Sequence, residues 1–379
     1  MTWSNTPMEP TPAPFARFPL VARSRPACAP LNERVDNLCE LARAAERDDD
    51  TSKASAVFNQ AALLASDLGL PDLARTWCHQ HAALYLAACP LTGRAARHAL
   101  EPLVNLARLQ IRAGDGAHAF ALLDGLFEAL KARTDTTVDG LRVPFSTLTR
   151  TMDDHQDVLR WLWTVHLADG TRALTGAGRW NDALAHLHTR KGVGHRMLDG
   201  RQVAIIAHVM WGDTATAQAL LDSTAGGEPW EAAVTACLAA LCRPGDDRTA
   251  GEMLNCYRRL DYTDPGLVVF RTRLGLSVVD AVGGVDTVNG RAVATTLIIR
   301  AVAAGDGYAA RDVLDHPGCA AVLEADQKAA LIQLLQVSGL DSQQFPEWLM
   351  VELSVALSRC GAVIARGLGS LLVDAERMR

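Results

Sequence analysis

The stretch GRWNDALAHL, Gly178 to Leu187, contains the spacing that decides the predicted fold. A glycine is followed five residues later by an alanine and, after four more, by a leucine. Four other places repeat this form, one of them with cysteine in place of leucine. They are Gly69/Ala74/Cys78, Gly114/Ala119/Leu123, Gly212/Ala217/Leu221 and Gly305/Ala310/Leu314. A spacing that recurs in this way indicates one structural unit used repeatedly.

Each of these glycines follows an apolar helical pattern, and the alanine and leucine lie one turn apart on the next helix. Glycine permits a tight turn, and the small alanine lets two paired helices approach closely. Gly178 and Gly212 are 34 residues apart, which is the period of a tetratricopeptide repeat. Small residues also precede the turns, as Ala62 precedes Gly69. The chain therefore resembles the tetratricopeptide-repeat family in a degenerate form, at a few positions per repeat.

This resemblance implies an all-α fold, with about 15 to 18 helices paired antiparallel and stacked into a right-handed superhelix, a TPR-like α-solenoid. In such folds the inner helices line a concave groove. Asn side chains there contact the backbone of an extended peptide, and Arg side chains contact its carboxylates.

Counting back from each turn glycine gives the residues expected to face the groove and bind a peptide. They are Asn59, Gln60, Glu101, Asn105, Arg108, Asp169, Arg172 and Gln202. Glu101, Asn105 and Arg108 lie at i, i+4 and i+7 and so share a helix face. Leu103 and Leu106 should then point into the core. The alternative interpretation is an ordinary polar helix surface with an internal Glu–Arg pair.

The composition fits a folded protein and limits its partners. Of the 379 residues, 49% are apolar and 21% are charged, and the net charge is −6. An acidic chain argues against non-specific binding to nucleic acid. We find no secretory signal and no uninterrupted apolar run of about 18 residues, so we expect no membrane span. The nine cysteines form no CxxC pair, which favours a cytoplasmic location with free thiols. The abundance of Arg and Ala is typical of a high-GC, actinobacterial genome.

Some parts of the chain depart from the helical pattern. Residues 1–30 are proline-rich and predict a flexible arm. TVDGLRV (Thr137 to Val143) and TVNGRAV (Thr287 to Val293) place Asp-Gly or Asn-Gly between β-branched residues, which favours a β-turn insertion. An irregular loop is the alternative for each. The predicted divisions are the arm (1–30), N-terminal helical repeats (31–133), a hairpin-like insertion (134–150), central repeats (151–260), and C-terminal repeats with a cap (261–379).

Cys78, His81 and Tyr85 are the candidates for catalysis because they lie at i, i+3 and i+7 on one helix face. Cys78 would act as a thiolate and His81 as its base. Cys78 also occupies the place where the other repeats have leucine, so the favoured interpretation is a small buried residue. A partly buried ligand contact is the third possibility.

Nothing in the sequence predicts a metal or a cofactor. His186 and His188 would turn to different faces of a helix, and no HExxH, P-loop or dinucleotide-binding motif occurs. We therefore expect neither a metal site nor a bound cofactor.

Three hypotheses for the function follow. The first is a module that binds a peptide or partner protein in the groove, one specific form being maturation of a ribosomally made peptide natural product. The second is an enzyme, such as a peptide cyclase or lyase, on the same scaffold. The third is the sensory half of a regulator. We favour the first because every candidate catalytic set also has a structural explanation. The sequence leaves open whether a reaction is catalysed and what the oligomeric state is.

Overall fold

Glycine turns join consecutive helices where the repeated spacing predicts them. All five repeat glycines have positive φ angles, between 62° and 80°, a region that glycine enters without steric cost. At Gly69, Gly114, Gly178 and Gly212 the next residue donates its N–H to a carbonyl of the preceding helix's last turn, the bond that closes a Schellman motif. The five alanines that follow are all 0% exposed. The spacing therefore marks real helix junctions.

The computed structural model describes residues 11–261 and 263–377, with residues 370–377 as backbone only. Contacts divide the chain into two compact units, each made of two segments. We call Pro30–Ala173 with Gly339–Arg379 the groove unit, and Met1–Ala29 with Leu174–Ser338 the arm unit.

Helices and strands are numbered in chain order. The groove unit contains α2 (Leu31–Asp48), α3 (Thr51–Asp67), α4 (Pro71–Leu86), α5 (Gly93–Arg112), α6 (Gly116–Ala132), β1 (Thr136–Val138), β2 (Leu141–Val143), most of α7 (Met152–Gly176) and α18 (Glu347–Arg377). The arm unit contains α1 (Ala13–Ala16), α8 (Trp180–Thr189), α9 (Asp199–Met210), α10 (Thr214–Asp222), α11 (Pro229–Cys242), α12 (Asp247–Arg258), a 3-10 turn (Pro265–Leu267), α13 (Val268–Ala281), α14 (Val288–Ala304), α15 (Gly307–Leu314), α16 (Pro317–Val322) and α17 (Ala325–Ser338).

Helices of the groove unit pack mainly against their neighbours in the chain, from α2 to α6. The exception is α18, which packs against α2 and α3 although it comes last. Its residues Leu353, Cys360 and Ile364 are fully buried there. The groove unit thus combines two segments that are far apart in the chain, Pro30–Ala173 and Gly339–Arg379. The predicted divisions were instead continuous segments in chain order.

One helix of the described residues, at Glu347–Gly369 within α18, is long and apolar enough to cross a membrane by length and composition. The core helices of water-soluble proteins pass the same test, and α18 has one face buried against α2 and α3. The opposite side exposes Trp348, Val351 and Val355. The expectation that no segment spans a membrane stays a prediction.

The segment predicted to be a flexible arm is packed over its described part. Residues 1–10 lie outside the described residues. In the remainder, Phe15, Phe18, Leu20 and Cys28 are each less than 9% exposed in the arm unit. Helical periodicity does not reveal this packing, because the segment buries single apolar residues without forming a long helix; that the arm is flexible stays a prediction.

Of the two predicted β-turns, one is a hairpin and the other begins a helix. β1 and β2 pair antiparallel around Asp139 and Gly140, with Val138 opposite Leu141. At the second site, the Thr287 hydroxyl accepts a hydrogen bond from Gly290 N and caps α14. A Cβ at residue 290 would lie 1.9 Å from Gly284 O, so the glycine allows a close backbone approach. The β-turn prediction was wrong at this site, because Asn289 and Gly290 lie in the first turn of α14, which Thr287 caps.

Candidate functional site

A groove on the groove unit brings together most of the residues predicted to face a peptide. It has a volume of about 340 Å³ and lies between α3 and α5, with α4 and α7 contributing one residue each. Five predicted residues from α3 and α5 and one from α7 line it: Asn59, Gln60, Glu101, Asn105, Arg108 and Arg172. Leu103 and Leu106 of α5 are buried on the other side of the helix, as predicted.

The polar side chains of this groove form one continuous series of hydrogen bonds, which we call the polar ladder. Asn59 Nδ2 donates to Glu101 Oε2 at 2.9 Å, and Asn105 Nδ2 donates to Asn59 Oδ1 at 2.9 Å. Arg108 Nη1 then donates to Asn105 Oδ1 at 2.9 Å. Asn59 of α3 therefore bridges two residues of α5, and these bonds hold the side chains of the ladder in fixed orientations.

The carboxylate of Asp169 orients two arginines, one of which is Arg108 at the end of the ladder. Arg108 donates to Asp169 Oδ2 through Nε at 3.1 Å and Nη2 at 2.8 Å. Arg172 Nη1 donates to the other oxygen, Oδ1, at 3.2 Å. The Asp169 side chain is only 6% exposed, whereas those of Arg108 and Arg172 are 43% and 50% exposed. Asp169 thus positions the guanidinium groups and is itself mostly covered. The Glu101–Arg108 pair of the alternative interpretation is replaced by bonds from Glu101 to Asn59 and from Arg108 to Asp169.

Glu101 at the other end of the ladder is held in its charged form. His98 Nδ1 lies 3.9 Å from Glu101 Oε2. The interaction with this imidazole is the main reason why the pKa of Glu101 lies below its ordinary value, and the hydrogen bond from Asn59 lowers the pKa further. The groove lining therefore carries one carboxylate and three arginines, Arg108, Arg112 and Arg172.

Several lining residues were not predicted from the sequence. Arg112 donates to Ser66 Oγ at 2.9 Å and to Asp67 Oδ1 at 2.8 Å. It follows Arg108 by four residues, so extending the periodicity of the face by one turn would have found it. Leu63 is 42% exposed and supplies an apolar wall. The groove thus combines fixed polar groups with exposed apolar surface.

Gln202 is not part of this groove. It lies on α9 of the arm unit and is 0% exposed. Its carboxamide bonds to both backbone polar groups of Leu20, with Leu20 N donating to Oε1 and Nε2 donating to Leu20 O, each at 2.7 Å. The prediction placed Gln202 on an inner helix face but did not foresee that a segment of the same chain covers that face.

The catalytic candidates lie in the core without catalytic geometry. Burial raises the pKa of the Cys78 thiol to about 12, so the nucleophilic thiolate is suppressed. Burial also lowers the pKa of His81 to about 3, and neither ring nitrogen has a hydrogen-bond partner among the described residues. His81 instead stacks on Phe58, with ring centroids 5.1 Å apart. Tyr85 shares a 2.7 Å hydrogen bond with Ser55. These contacts support the structural interpretation, although Cys78 does reach the groove lining.

In the described part of the chain, no group of three or more His, Cys, Asp or Glu residues is arranged to hold a metal ion. His316 on the arm unit is occupied by other bonds: its Nδ1 accepts from Cys319 N at 3.2 Å and its Nε2 lies 3.1 Å from Asp280 Oδ1. None of the nine cysteines is bonded to another.

Comparisons with known proteins found no matching family model, no similar curated protein and no similar solved structure.

Proposed function

We propose that the groove unit binds an extended peptide, or an extended segment of a partner protein, along α3 and α5. The observation that supports this most is the polar ladder, which holds Asn59, Asn105 and Arg108 in place at a partly exposed surface. A carboxamide has two N–H donors and an oxygen with two lone pairs. Each Asn of the ladder uses one donor within it, so the other donor can reach a peptide carbonyl.

Charge and apolar surface indicate the ligand's chemistry. The three arginines of the lining are ion-paired to Asp169 or Asp67, but their side chains are 43–50% exposed. Their exposed guanidinium surface favours a ligand with a carboxylate, either an acidic side chain or a chain terminus. Leu63, Leu109 and Ile111 beside them provide a surface for an apolar ligand residue. We infer that the helix pairs are degenerate tetratricopeptide-like repeats of a right-handed stack, with this groove on the concave side. Maturation of a ribosomally made peptide is one context in which a cytoplasmic protein of this kind would serve.

The experiment is selection of binders from a random-peptide display library against the full chain, followed by affinity measurements on variants. Asn105→Ala should weaken binding by roughly 1–2 kcal/mol because a contact to the peptide backbone is lost. Arg108→Ala should cost about as much or more, and its effect should shrink as salt rises.

Arg160→Ala is the matched control. Arg160 is an exposed arginine of α7, ion-paired to Asp157 and outside the groove. Its replacement should leave affinity unchanged. Selected peptides that bind equally well to Asn105→Ala and Arg108→Ala would refute the proposed site, as would a selection that yields no binder.

A further inference from the structure

The arm unit already holds an extended segment of its own chain in the way that receptors hold peptides. Residues 20–30 contain neither helix nor strand. The N–H and C=O of Leu20 both bond to the Gln202 carboxamide, at 2.7 Å each. In an extended backbone the N–H and C=O of one residue point to the same side, so one carboxamide can bond to both. A buried side-chain amide therefore recognises the backbone of this segment, independently of its sequence.

A second backbone clamp lies eight residues further along. Cys28 N donates to Asp306 Oδ2 and Cys28 O accepts from Gly307 N, both at 2.9 Å. Between the two clamps, Arg25 N donates to Gly266 O at 3.1 Å. A Cβ at residue 266 would lie 1.8 Å from Ser24 Oγ, so an alanine there would force Ser24 to move. Hydrogen bonds to the arm backbone therefore extend from Gln202 in α9 to Gly307 in α15.

Acidic side chains of the unit meet basic side chains of the arm. Arg17 Nη1 lies 2.5 Å from Asp280 Oδ2, and Arg23 Nη2 lies 2.8 Å from Asp199 Oδ2. The Arg25 guanidinium stands over the Tyr308 ring, 5.1 Å from its centre. This surface therefore suits a basic segment, whereas the arginine-lined groove of the other unit suits an acidic one.

Burial along the arm is concentrated at anchors rather than spread evenly. Phe18, Leu20 and Cys28 are at most 4% exposed, while residues 23–27 between them are exposed. A few buried anchors separated by exposed residues are typical of a bound peptide ligand. A core segment would be covered continuously.

We propose that this surface is a second peptide-binding site, with residues 17–28 as its resident ligand. It takes an extended basic segment that has apolar anchors at the positions of Phe18 and Leu20 and a small residue at the position of Cys28. The arm leaves and rebinds without unfolding the unit, so a segment of the same chemistry competes with it. The site does not rest on the function proposed for the groove unit.

The test uses the full chain with a protease recognition sequence inserted between Ala29 and Pro30, cleaved after folding. Excess fluorescent peptide of residues 11–29 should replace the cleaved arm and co-elute with the folded protein. N-methylation of the peptide at Leu20 removes the donor to Gln202 and should weaken binding at least tenfold. N-methylation at Ala22, whose N–H makes none of these contacts, should not. A labelled peptide that never enters, or that binds equally well with methylated Leu20, would overturn the proposal.

Hydrogen exchange on the uncleaved wild-type protein gives an independent result if the insertion disturbs folding. The amides of Leu20 and Cys28 should exchange faster than core amides of α9 and α15, because the arm opens on its own. If the amides of Leu20 and Cys28 exchange as slowly as the core amides of α9 and α15, at the rate of global unfolding, the arm is part of the core and the proposal is overturned.

Discussion

His81 should contribute to the acid sensitivity of the groove unit, and replacing it should remove the share that comes from this residue. The imidazole is 1% exposed, stacked on Phe58, and has a pKa lowered to about 3 by burial. In the unfolded chain a histidine has a pKa of about 6.5. The unfolded state therefore binds more protons than the folded state between these two values.

Stability conferred by a neutral His81 is thus fully present above about pH 6.5 and is lost as pH falls toward 3. Each pH unit within this window costs about 1.4 kcal/mol. Between pH 7 and pH 5 the loss from this one residue is then about 2 kcal/mol. His81→Leu introduces an apolar side chain of similar volume, which has no titratable group. The variant should therefore lose about 2 kcal/mol less than the wild type over the same range.

The measurement is denaturant unfolding at pH 7 and pH 5, with hydrogen exchange of α4 amides as the local probe. His118→Leu is the control, because the His118 side chain is 80% exposed on the same unit and its loss leaves the core intact. It should retain the wild-type pH dependence. If His81→Leu also retains it, His81 is not held neutral by burial and the reasoning fails.

Three further predictions concern the helix core and its junctions. Cys78→Ser should destabilise the protein by about 1–3 kcal/mol, because it buries a hydroxyl at a site that is 1% exposed; a fast-reacting Cys78 thiol with no loss of stability on substitution would contradict this. Leu103→Ala should lower the free energy of unfolding by about 2–5 kcal/mol by opening a cavity, whereas Asn105→Ala should cost no more than about 1 kcal/mol; equal losses in melting curves would show that the Asn105 face belongs to the core. Gly290→Ala should destabilise because its Cβ would meet Gly284 O at 1.9 Å, while Gly251→Ala, in α12 with no atom within 4 Å of the new Cβ, should stabilise by about 0.5–1 kcal/mol; the same sign for both would refute the packing argument.

The helix junctions could be predicted from the sequence because their causes are local. A glycine with positive φ, a following cap and an alanine one turn later all lie within about ten residues of chain. The face shared by Glu101, Asn105 and Arg108 followed from the same phase, and one further turn gives Arg112. Such features need no knowledge of the rest of the molecule.

Features that depend on distant segments could not be predicted in this way. Helix phase placed Gln202 on an inner face, but only the structure shows Leu20 lying against it. TVDGLRV and TVNGRAV look alike, yet one forms a hairpin and the other starts a helix, so the motif alone does not decide its conformation. The packing of α18 on α2 joins residues more than 300 positions apart, as Arg366 and Asp49 do. No local pattern carries that information.

The most direct test of the groove as a binding site is photo-crosslinking at two matched glutamines. Gln60 lines the groove, whereas Gln110 is exposed on α5 of the same unit and lies outside the groove lining. A photo-crosslinking amino acid is placed at one position or the other in the full chain, and a selected peptide is added at its dissociation constant. Position 60 should capture the peptide and position 110 should not. Capture from position 110 alone, or equal capture from both, would contradict the account.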